Sequence, residues 1–424
     1  MSAEASISPN VAAATAAKTP TVTQRLMSID ALRGFDMFWI IGADELVYAL
    51  NRMSHGEGEK SHGVMGFLAY ELDHAEWAGF HFYDLIFPLF LFIVGVSLVF
   101  SLGKAIRQEG RAAAVNRLVR RSLLMFVVAL FYSGGFSHFW PNIRLMGVLN
   151  RIAICYGVAG VIFCFFNLRA MIATCAALLI GYWALMSFVP IRDIQLDDVA
   201  LKQLAEQRHV PTDAKQLFYS TTNYVTGHFE HGFDLSDHID FQYLPGRKYD
   251  TYFDPEGYLS TIPAIGTCLL GVFAGLLLIN AKLEDMQKVI YLLMAGLIMV
   301  ALGWAWSIQF PVVKKIWTSS FVLVAGGYSA LLLGTFYWIV DVAKYQTWCR
   351  PFVWMGMNSI TIYLIKNFLG GFGNLSKRFV GGDVGTFLES HVRGSSDLAI
   401  ALVSLGIAFW IVGFLYRRKI FLRL

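Results

Sequence analysis

The residues best suited to chemistry lie in one short stretch, residues 73–84, directly before the apolar run 85–95. The stretch holds two histidines and three carboxylates, namely Asp73, His74, Glu76, His81 and Asp84. At such a boundary, burial and neighbouring charges shift pKa values, and a side chain there can accept a proton. The crowding predicts a place that can position a proton acceptor, with His74 and His81 as the two candidate histidines. A structural histidine, and helix capping or an ion pair for Asp84, are the alternatives.

A metal site is a weaker interpretation of the same stretch. His74 and His81 are seven residues apart and would share one face of a helix. The spacing does not match the HExxH pattern of zinc enzymes, so no metal is expected. The five cysteines form no CxxC pair, and neither disulfides nor a cysteine-based zinc site is expected.

The first apolar segment carries ionisable residues at both ends. Asp30 and Arg33 are spaced i,i+3 and predict a local ion pair. Asp44 would lie about 21 Å further along a continuous helix, at the depth expected for His74. We expect Asp44 to orient the His74 ring or stabilise its protonated form, with a solvated helix end as the alternative.

Two arginines and an amide stand in later apolar segments. Arg144 and Arg151 are seven residues apart, so on a helix they share a face and could pair with carboxylates of the first span or hold an anion. Asn358 is typical of polar contacts between helices in membranes.

The composition indicates an all-α polytopic membrane protein. Of 424 residues, 56% are hydrophobic and 15% are charged, whereas soluble domains contain about 25% charged residues. Hydropathy predicts about ten spans. Their approximate ranges are 31–50, 83–102, 121–137, 147–166, 170–190, 259–280, 289–308, 317–340, 351–368 and 397–416.

Loop charges predict the orientation. Loop 103–121 carries six Lys or Arg residues against one Glu, and the tail Arg417-Arg418-Lys419 falls on the same side. The positive-inside rule makes this side cytoplasmic, with both termini inside. All ten histidines then fall in or beside the opposite loops, which favours a site on the outer face.

The segment 191–258 between the fifth and sixth spans is the one large outer insertion. Its aromatics suit either sugar stacking or the core of a small cap; they are Tyr219, Tyr224, Phe229, Phe233, Tyr243, Tyr249, Tyr252 and Phe253.

Residues 1–24 lack a signal-peptide pattern and are expected to be a disordered cytoplasmic tail. No Walker A, GxSxG or nucleic-acid-binding pattern occurs.

Several blocks, taken in order, resemble one family. The opening SIDALRG at 28–34 is similar to that of membrane acyltransferases in general. The further blocks resemble heparan-α-glucosaminide N-acetyltransferase and its bacterial relatives; they are HAEW (74–77), DLIFP (84–88), GVLNR (147–151), DPEG (254–257) and GMNSI (356–360). The resemblance makes 25–424 a transmembrane acyltransferase domain with a periplasmic insertion at 191–258.

The resemblance implies transfer of acetyl from cytoplasmic acetyl-CoA to a glucosamine-type amino sugar across a bacterial inner membrane. It places the active-site histidine at His74. Two positions depart from the family, because Asp44 replaces an asparagine and Lys366 replaces a histidine of the lysosomal enzyme. That enzyme's extra N-terminal lumenal portion and first span have no counterpart here, which fits ten spans.

Roles follow for the other residues. Arg33, Arg117, Arg120 and Arg121 are expected to bind acetyl-CoA, with His74 and Asp44 catalytic. The acceptor site is expected to include Asp84, Arg144, Arg151, Glu256, Asn358 and Lys366. A homodimer is left open, and no nucleic-acid partner is expected. The alternative functions are a secondary transporter of sugars or organic acids and a membrane O-acyltransferase of polysaccharide.

Overall fold

A computed structural model describes residues 26–54, 63–137 and 139–422. The predicted tail 1–24 lies outside the described residues, as do His55, His62 and His138. The helices before the insertion are α1 (Met27–Phe38), α2 (Asp44–Ser54), α3 (Gly63–Glu71), α4 (Ile86–Glu109), α5 (Arg111–Tyr132), α6 (Val148–Phe165) and α7 (Leu168–Phe188).

The insertion and the second half of the chain follow. The insertion contains β1 (Ile191–Arg192), α8 (Asp198–Arg208), α9 (Ala214–Ser220), β2 (Tyr224–Val225) and α10 (Leu235–Tyr243). The remaining helices are α11 (Thr261–Leu278), α12 (Asp285–Trp306), α13 (Ser319–Phe336), α14 (Arg350–Met357), α15 (Ser359–Phe368), α16 (Phe372–Val380), α17 (Gly382–His391) and α18 (Ser395–Arg417).

Glycines allow the central helices to pack backbone against backbone. A Cβ on Gly95 of α4 would lie 2.0 Å from the carbonyl oxygen of Cys268 in α11, and one on Gly271 would lie 1.9 Å from that of Phe92. Such close packing is how helices associate in a bilayer, where burial of apolar side chains gives little driving force. The α4–α11 pair therefore forms the rigid centre of the bundle.

Within the described residues, seven helical segments are long and apolar enough to cross a membrane, so the chain is a polytopic membrane protein. They are Phe82–Glu109, Val148–Phe165, Leu168–Phe188, Thr261–Leu278, Asp285–Trp306, Ser319–Val342 and Ser395–Arg417. Seven of the ten predicted spans correspond to these segments, and the count of ten stays a prediction.

The other three predicted spans have irregular or charged helices. Span 31–50 is interrupted by a π-helical segment, Trp39–Ala43, where Gly42 has a φ of 135°. Span 121–137 belongs to α5, whose N-terminal half carries four arginines. Span 351–368 divides at Asn358 into α14 and α15.

The insertion folds as a small cap with its own apolar core. Ile191 and Arg192 of β1 pair antiparallel with Val225 and Tyr224 of β2. Aspartates accept backbone N–H bonds at the N-termini of α8, α9 and α10 and so start each helix. The core residues are Ile194, Leu196, Leu201, Ala205, Leu217 and Phe218.

The predicted aromatics of the insertion divide between the core and the surface. Phe253 is buried, whereas Tyr219, Tyr224, Tyr243 and Tyr249 are exposed. Among these eight, Tyr249 lines the cavity described below. Phe253 thus fits the predicted core of a cap, and sugar stacking by the exposed tyrosines stays a prediction.

Backbone contacts hold the cap on the bundle. Arg144 and Gly246 form an antiparallel bridge, and the amide of Arg247 donates to the carbonyl of Ile143 at 3.2 Å. A Cβ at position 246 would lie 2.0 Å from that same carbonyl oxygen, so this crossing requires glycine. The cap thus lies over the end of the bundle where residues 73–84 enter α4.

Candidate active site

A cavity of about 470 Å³ lies between the cap and the helix ends beneath it. Its apolar walls come mainly from α4, α6 and α15, and its polar side chains come from four separate loops and helix ends. The ionisable lining residues are His74, Tyr83, Asp84, Arg144, Arg151, Tyr249, Glu256, Lys314, Lys315 and Tyr363. An apolar pocket with a few converging polar groups is typical of a small-molecule site.

His74 lies on an irregular loop that is anchored by backbone pairing. The amide of Gly79 donates to the carbonyl of Val312 at 2.9 Å, and Ala78 forms an antiparallel bridge with Val313. Gly79 has a φ of 140°, a conformation that side chains disfavour. The loop thereby presents a half-exposed His74 to the cavity.

Asp84 is the carboxylate that contacts His74. His74 Nδ1 lies 2.8 Å from Asp84 Oδ1, and the Asp84 side chain is only 1% exposed. Asp84 Oδ2 accepts the backbone N–H groups of Ala75 and His81, each at 3.1 Å. With Nδ1–H donating to Asp84, the ring presents Nε2 with its free electron pair.

Asp84 was predicted to bind substrate, with capping or an ion pair as its structural alternative. It does cap the short 3₁₀ turn Phe82–Leu85 by accepting the His81 amide, and it pairs with His74 as well. Both contacts hold the loop and the imidazole in one fixed arrangement.

Asp44 does not contact His74, contrary to the expected pairing. Asp44 Oδ2 accepts the Tyr83 hydroxyl at 3.2 Å, and the Tyr83 ring packs against the His74 ring with centroids 5.0 Å apart. The break at Trp39–Ala43 ends the continuous helix assumed for the first span, so Asp44 begins a new helix, α2. Asp44 reaches His74 only through Tyr83.

Lys314 is a member of the cluster that the sequence reasoning missed. Its Nζ lies 3.3 Å from Asp84 Oδ1 and 3.0 Å from His74 Nδ1. One signal was available, because Lys314 and Lys315 place two cations in a loop predicted to face outward. The positive-inside rule disfavours Lys and Arg in outer loops. A pair of lysines in such a loop therefore suggests a functional role.

Arg144 is engaged by two carboxylates of the DPEG block. Its guanidinium makes two 2.8 Å contacts with Asp254 and one of 2.7 Å with Glu256 Oε2. The two carboxylates raise the pKa of Arg144 above its ordinary value, although burial opposes them. Of the two predicted roles, bracing carboxylates is the one that these contacts support, and it fixes Glu256 in the cavity wall.

Arg151 is fully buried on α6. One of its nitrogens donates to the carbonyl of Pro255 at 2.6 Å and to the Ser260 hydroxyl, and its guanidinium lies over the Trp317 ring. Its Nε and Nη1 have no hydrogen-bond partner within the described part of the chain. Arg151 therefore links the DPEG block to α6. Arg144 links the same block to the loop that precedes α6.

A second cavity, of about 290 Å³, lies toward the opposite end of the bundle. Arg33 and Arg121 line it, whereas Arg117 and Arg120 lie outside the linings of both cavities among the residues described. The predicted Arg33–Asp30 pair is confirmed at 3.5 Å, and Arg117 pairs with Glu109 at 2.6 Å. Two of the four arginines that were predicted to bind acetyl-CoA thus line this second cavity.

Asn358 and Lys366 are placed away from both cavity linings as far as the structure describes them. Asn358 is buried at the α14–α15 break and donates to the carbonyl of Trp354 at 3.2 Å. Lys366 donates to the carbonyl of Ile40 at 2.7 Å, inside the π-helical segment of the first span. Asn358 thus bonds back to the helix that it ends, and Lys366 links α15 to the first span. Contacts of both residues with an acceptor stay a prediction.

Comparison with known proteins agrees with the family suggested by the motifs. The family model described as heparan-alpha-glucosaminide N-acetyltransferase, catalytic, matches residues 25–213. This part of the chain is similar to the catalytic region of those enzymes. The matched region contains His74, Asp84, Arg144 and Arg151.

Two curated members of this family show low identity over much of the chain. The human heparan-alpha-glucosaminide N-acetyltransferase is 24% identical over 434 residues, covering 94% of this chain and 59% of the human protein. The mouse protein of the same name is 27% identical over 330 residues, covering 69% of this chain and 48% of its own length. The chain thus spans about half to three-fifths of these relatives.

Proposed function

We propose that this protein is a transmembrane acetyltransferase that moves an acetyl group from acetyl-CoA to the amino group of a glucosamine-type sugar. The observation that carries the proposal is that the two cavities abut. They share five lining residues, namely Phe90, Leu149, Ile152, Ser359 and Ile360. In the proposed reaction, the donor reaches from the cations at one end, past this mainly apolar shared wall, to the His74–Asp84 pair at the other.

The two ends differ in the chemistry that they suit. Arg33 and Arg121 offer guanidiniums to the phosphates of acetyl-CoA. The apolar walls between the cavities suit the pantetheine arm, which would bring the thioester toward His74. Tyr249 and Glu256 suit a sugar, offering an aromatic face and a carboxylate.

The reaction requires a neutral His74 with Nε2 free. As a general base, Nε2 takes a proton from the acceptor amine while that nitrogen attacks the thioester carbon. As a nucleophile, Nε2 itself attacks and carries the acetyl group to the amine. In both routes the C–S bond breaks, and the CoA thiolate leaves and takes up a proton. Asp84 serves both routes by holding Nδ1–H.

The proposed orientation places acetyl-CoA entry in the cytoplasm and the acceptor in the periplasm of a bacterial inner membrane. Helix α4 begins beside the His74 loop and ends at the basic loop around Glu109. Its 24 residues rise about 36 Å, enough to cross the hydrocarbon core. The basic loop would lie inside with both termini, and the cap would lie outside.

Turnover in detergent tests this proposal. Purified protein is incubated with acetyl-CoA and glucosamine, and CoA thiol release is followed together with mass detection of the acetylated sugar. We expect wild-type protein to form both products and His74→Ala to form neither. His391→Ala is the matched control, since His391 is an exposed histidine bonded to its own helix.

Two outcomes would contradict the proposal. One is near-normal turnover by monodisperse His74→Ala protein. The other is sugar uptake into proteoliposomes without acetyl-CoA, together with no acetylated product, which would identify a transporter. Activity toward hydroxyl acceptors only would assign the protein to O-acylation.

A further inference from the structure

Lys314 lies over the face of the His74 ring. Its Nζ is 3.0 Å from Nδ1 and 3.4 Å from Nε2. A hydrogen bond to the in-plane electron pair of one nitrogen would make one distance far longer than the other. The near-equal distances therefore put the amine above the ring and leave the electron pair of Nε2 free to react.

The loop that carries Lys314 does not need this side chain to stay in place. The Gly79–Val312 hydrogen bond and the Ala78–Val313 bridge are backbone contacts. The amide of Val313 also donates to the Thr318 hydroxyl at 3.1 Å. Replacing the Lys314 side chain should therefore leave the loop in place. The side chain is not required to anchor the loop and can take part in the reaction instead.

Two carboxylates face the buried Lys314 amine. Burial lowers the pKa of this amine below its ordinary value, and the Asp84 carboxylate at 3.3 Å and Glu256 offset part of that shift. Since Asp84 is itself almost fully buried, the ammonium also compensates a charge that would otherwise be unpaired. Lys314 thus offers a cationic donor at the cavity surface beside Nε2.

We propose that Lys314 is a catalytic residue that donates a hydrogen bond to the oxyanion formed during acetyl transfer; this rests on the proposed acetyltransferase function. An acyl carbon attacked at Nε2, or beside it by the amine, has its oxygen within reach of an Nζ 3.4 Å away. The carbonyl electron pair moves onto this oxygen as the new bond to carbon forms. It returns as the C–S bond breaks and the CoA thiolate departs.

A fixed donor at such a position is worth about 10²- to 10³-fold in kcat. We therefore compare wild type, Lys314→Met and Lys314→Arg for kcat and for the KM of acetyl-CoA and of glucosamine. Lys314→Met should lose about 10²- to 10³-fold in kcat with both KM values nearly unchanged, because the donor acts on the transition state. Lys314→Arg retains a cationic donor and should recover part of the loss.

Lys288→Met is the matched control. Lys288 pairs with Asp285 at 3.0 Å in the first turn of α12, and the rest of that helix separates it from the Lys314 loop. Thermal stabilisation by CoA checks that each variant still binds the donor. If Lys314→Met does not yield monodisperse protein, Lys314→Gln replaces it.

The outcomes separate this proposal from the one on which it rests. Lys314→Met protein that keeps more than a tenth of the wild-type kcat, or that changes only the KM of glucosamine, overturns the oxyanion role. No turnover by the wild type, or unchanged turnover by His74→Ala, overturns the acetyltransferase proposal instead.

Discussion

His74 Nδ1 lies 2.8 Å from Asp84 Oδ1, although an irregular loop separates the two residues. Asp84 is held by two backbone N–H groups and is buried, so it has little freedom to leave the imidazole. The pair resembles the base-and-orienter arrangement that activates histidine in many acyl-transfer enzymes. The consequence is an imidazole that one buried carboxylate holds in place beside the cavity.

Changing Asp84 to asparagine should lower kcat much more than changing Asp44 to asparagine. We expect Asp84→Asn to lower kcat by about 10²- to 10⁴-fold, because the ring loses its carboxylate and its fixed tautomer. Asp44→Asn should cost less than about tenfold, since Asp44 reaches His74 only through Tyr83. Steady-state kinetics on both variants tests this, and a larger loss for Asp44→Asn would contradict the assignment.

Blocking the junction of the two cavities should uncouple donor binding from turnover. Leu149 lines both cavities, and Leu149→Trp would fill the passage between them. We expect turnover to fall while thermal stabilisation by CoA persists, because the cationic cavity is left open. Leu123→Trp is the control, at an exposed position on α5. Equal activity of both variants would argue against this passage as the acetyl path.

Arg144 should matter for folding more than for acceptor binding. Arg144→Met leaves the fully buried Asp254 carboxylate without its partner. Breaking such a pair costs about 3–5 kcal/mol, and we expect a clear loss of thermal stability in detergent. Adding Asp254→Asn should restore part of it, since the unpaired charge is removed.

The comparison for Arg144 is Arg117→Met, which breaks an exposed pair with Glu109. An exposed pair contributes about 0–1 kcal/mol, so this variant should melt close to wild type. Similar melting of the two arginine variants would show that the Arg144 pairs contribute little.

The cap should lose stability as the pH rises. Burial raises the pKa of Asp240 from 3.8 to about 7, although the amides of Tyr258 and Asp254 partly oppose this. The folded state therefore holds a proton that the unfolded state releases near pH 4. The resulting stability is complete below that pH, falls as the pH rises toward 7, and is lost above it.

Asp240→Asn isolates this contribution, because the amide does not titrate. Relative to wild type, the variant should gain melting temperature between pH 5 and pH 8. The difference in melting temperature between variant and wild type cancels the pH-dependent contributions of the other buried groups in the cap. One of these is His238, whose pKa is lowered to about 4 by burial. A difference that stays constant over this range would contradict the prediction.

Local patterns in the sequence predicted the features that depend on neighbours along the chain. The Asp30–Arg33 pair is a helical i,i+3 contact, and the structure contains it. The apolar runs predicted ten spans, and seven of them coincide with described helices that are long and apolar enough to cross a membrane, because hydropathy records which segments avoid water. The ordered motifs also indicated the family, and His74 was identified as the most promising histidine.

Only the tertiary structure decided which groups meet His74. Asp44 was expected beside it on the assumption of a continuous first helix, but the π-helical break redirects the chain and Asp84 occupies that place. Lys314 lies 240 positions away in sequence and arrives through pairing of two loops. Periodicity reports which face of a helix is apolar, whereas contacts between loops depend on how whole helices pack. The sequence alone thus determined the membrane class and predicted His74 as the central histidine, and packing determined which groups contact it.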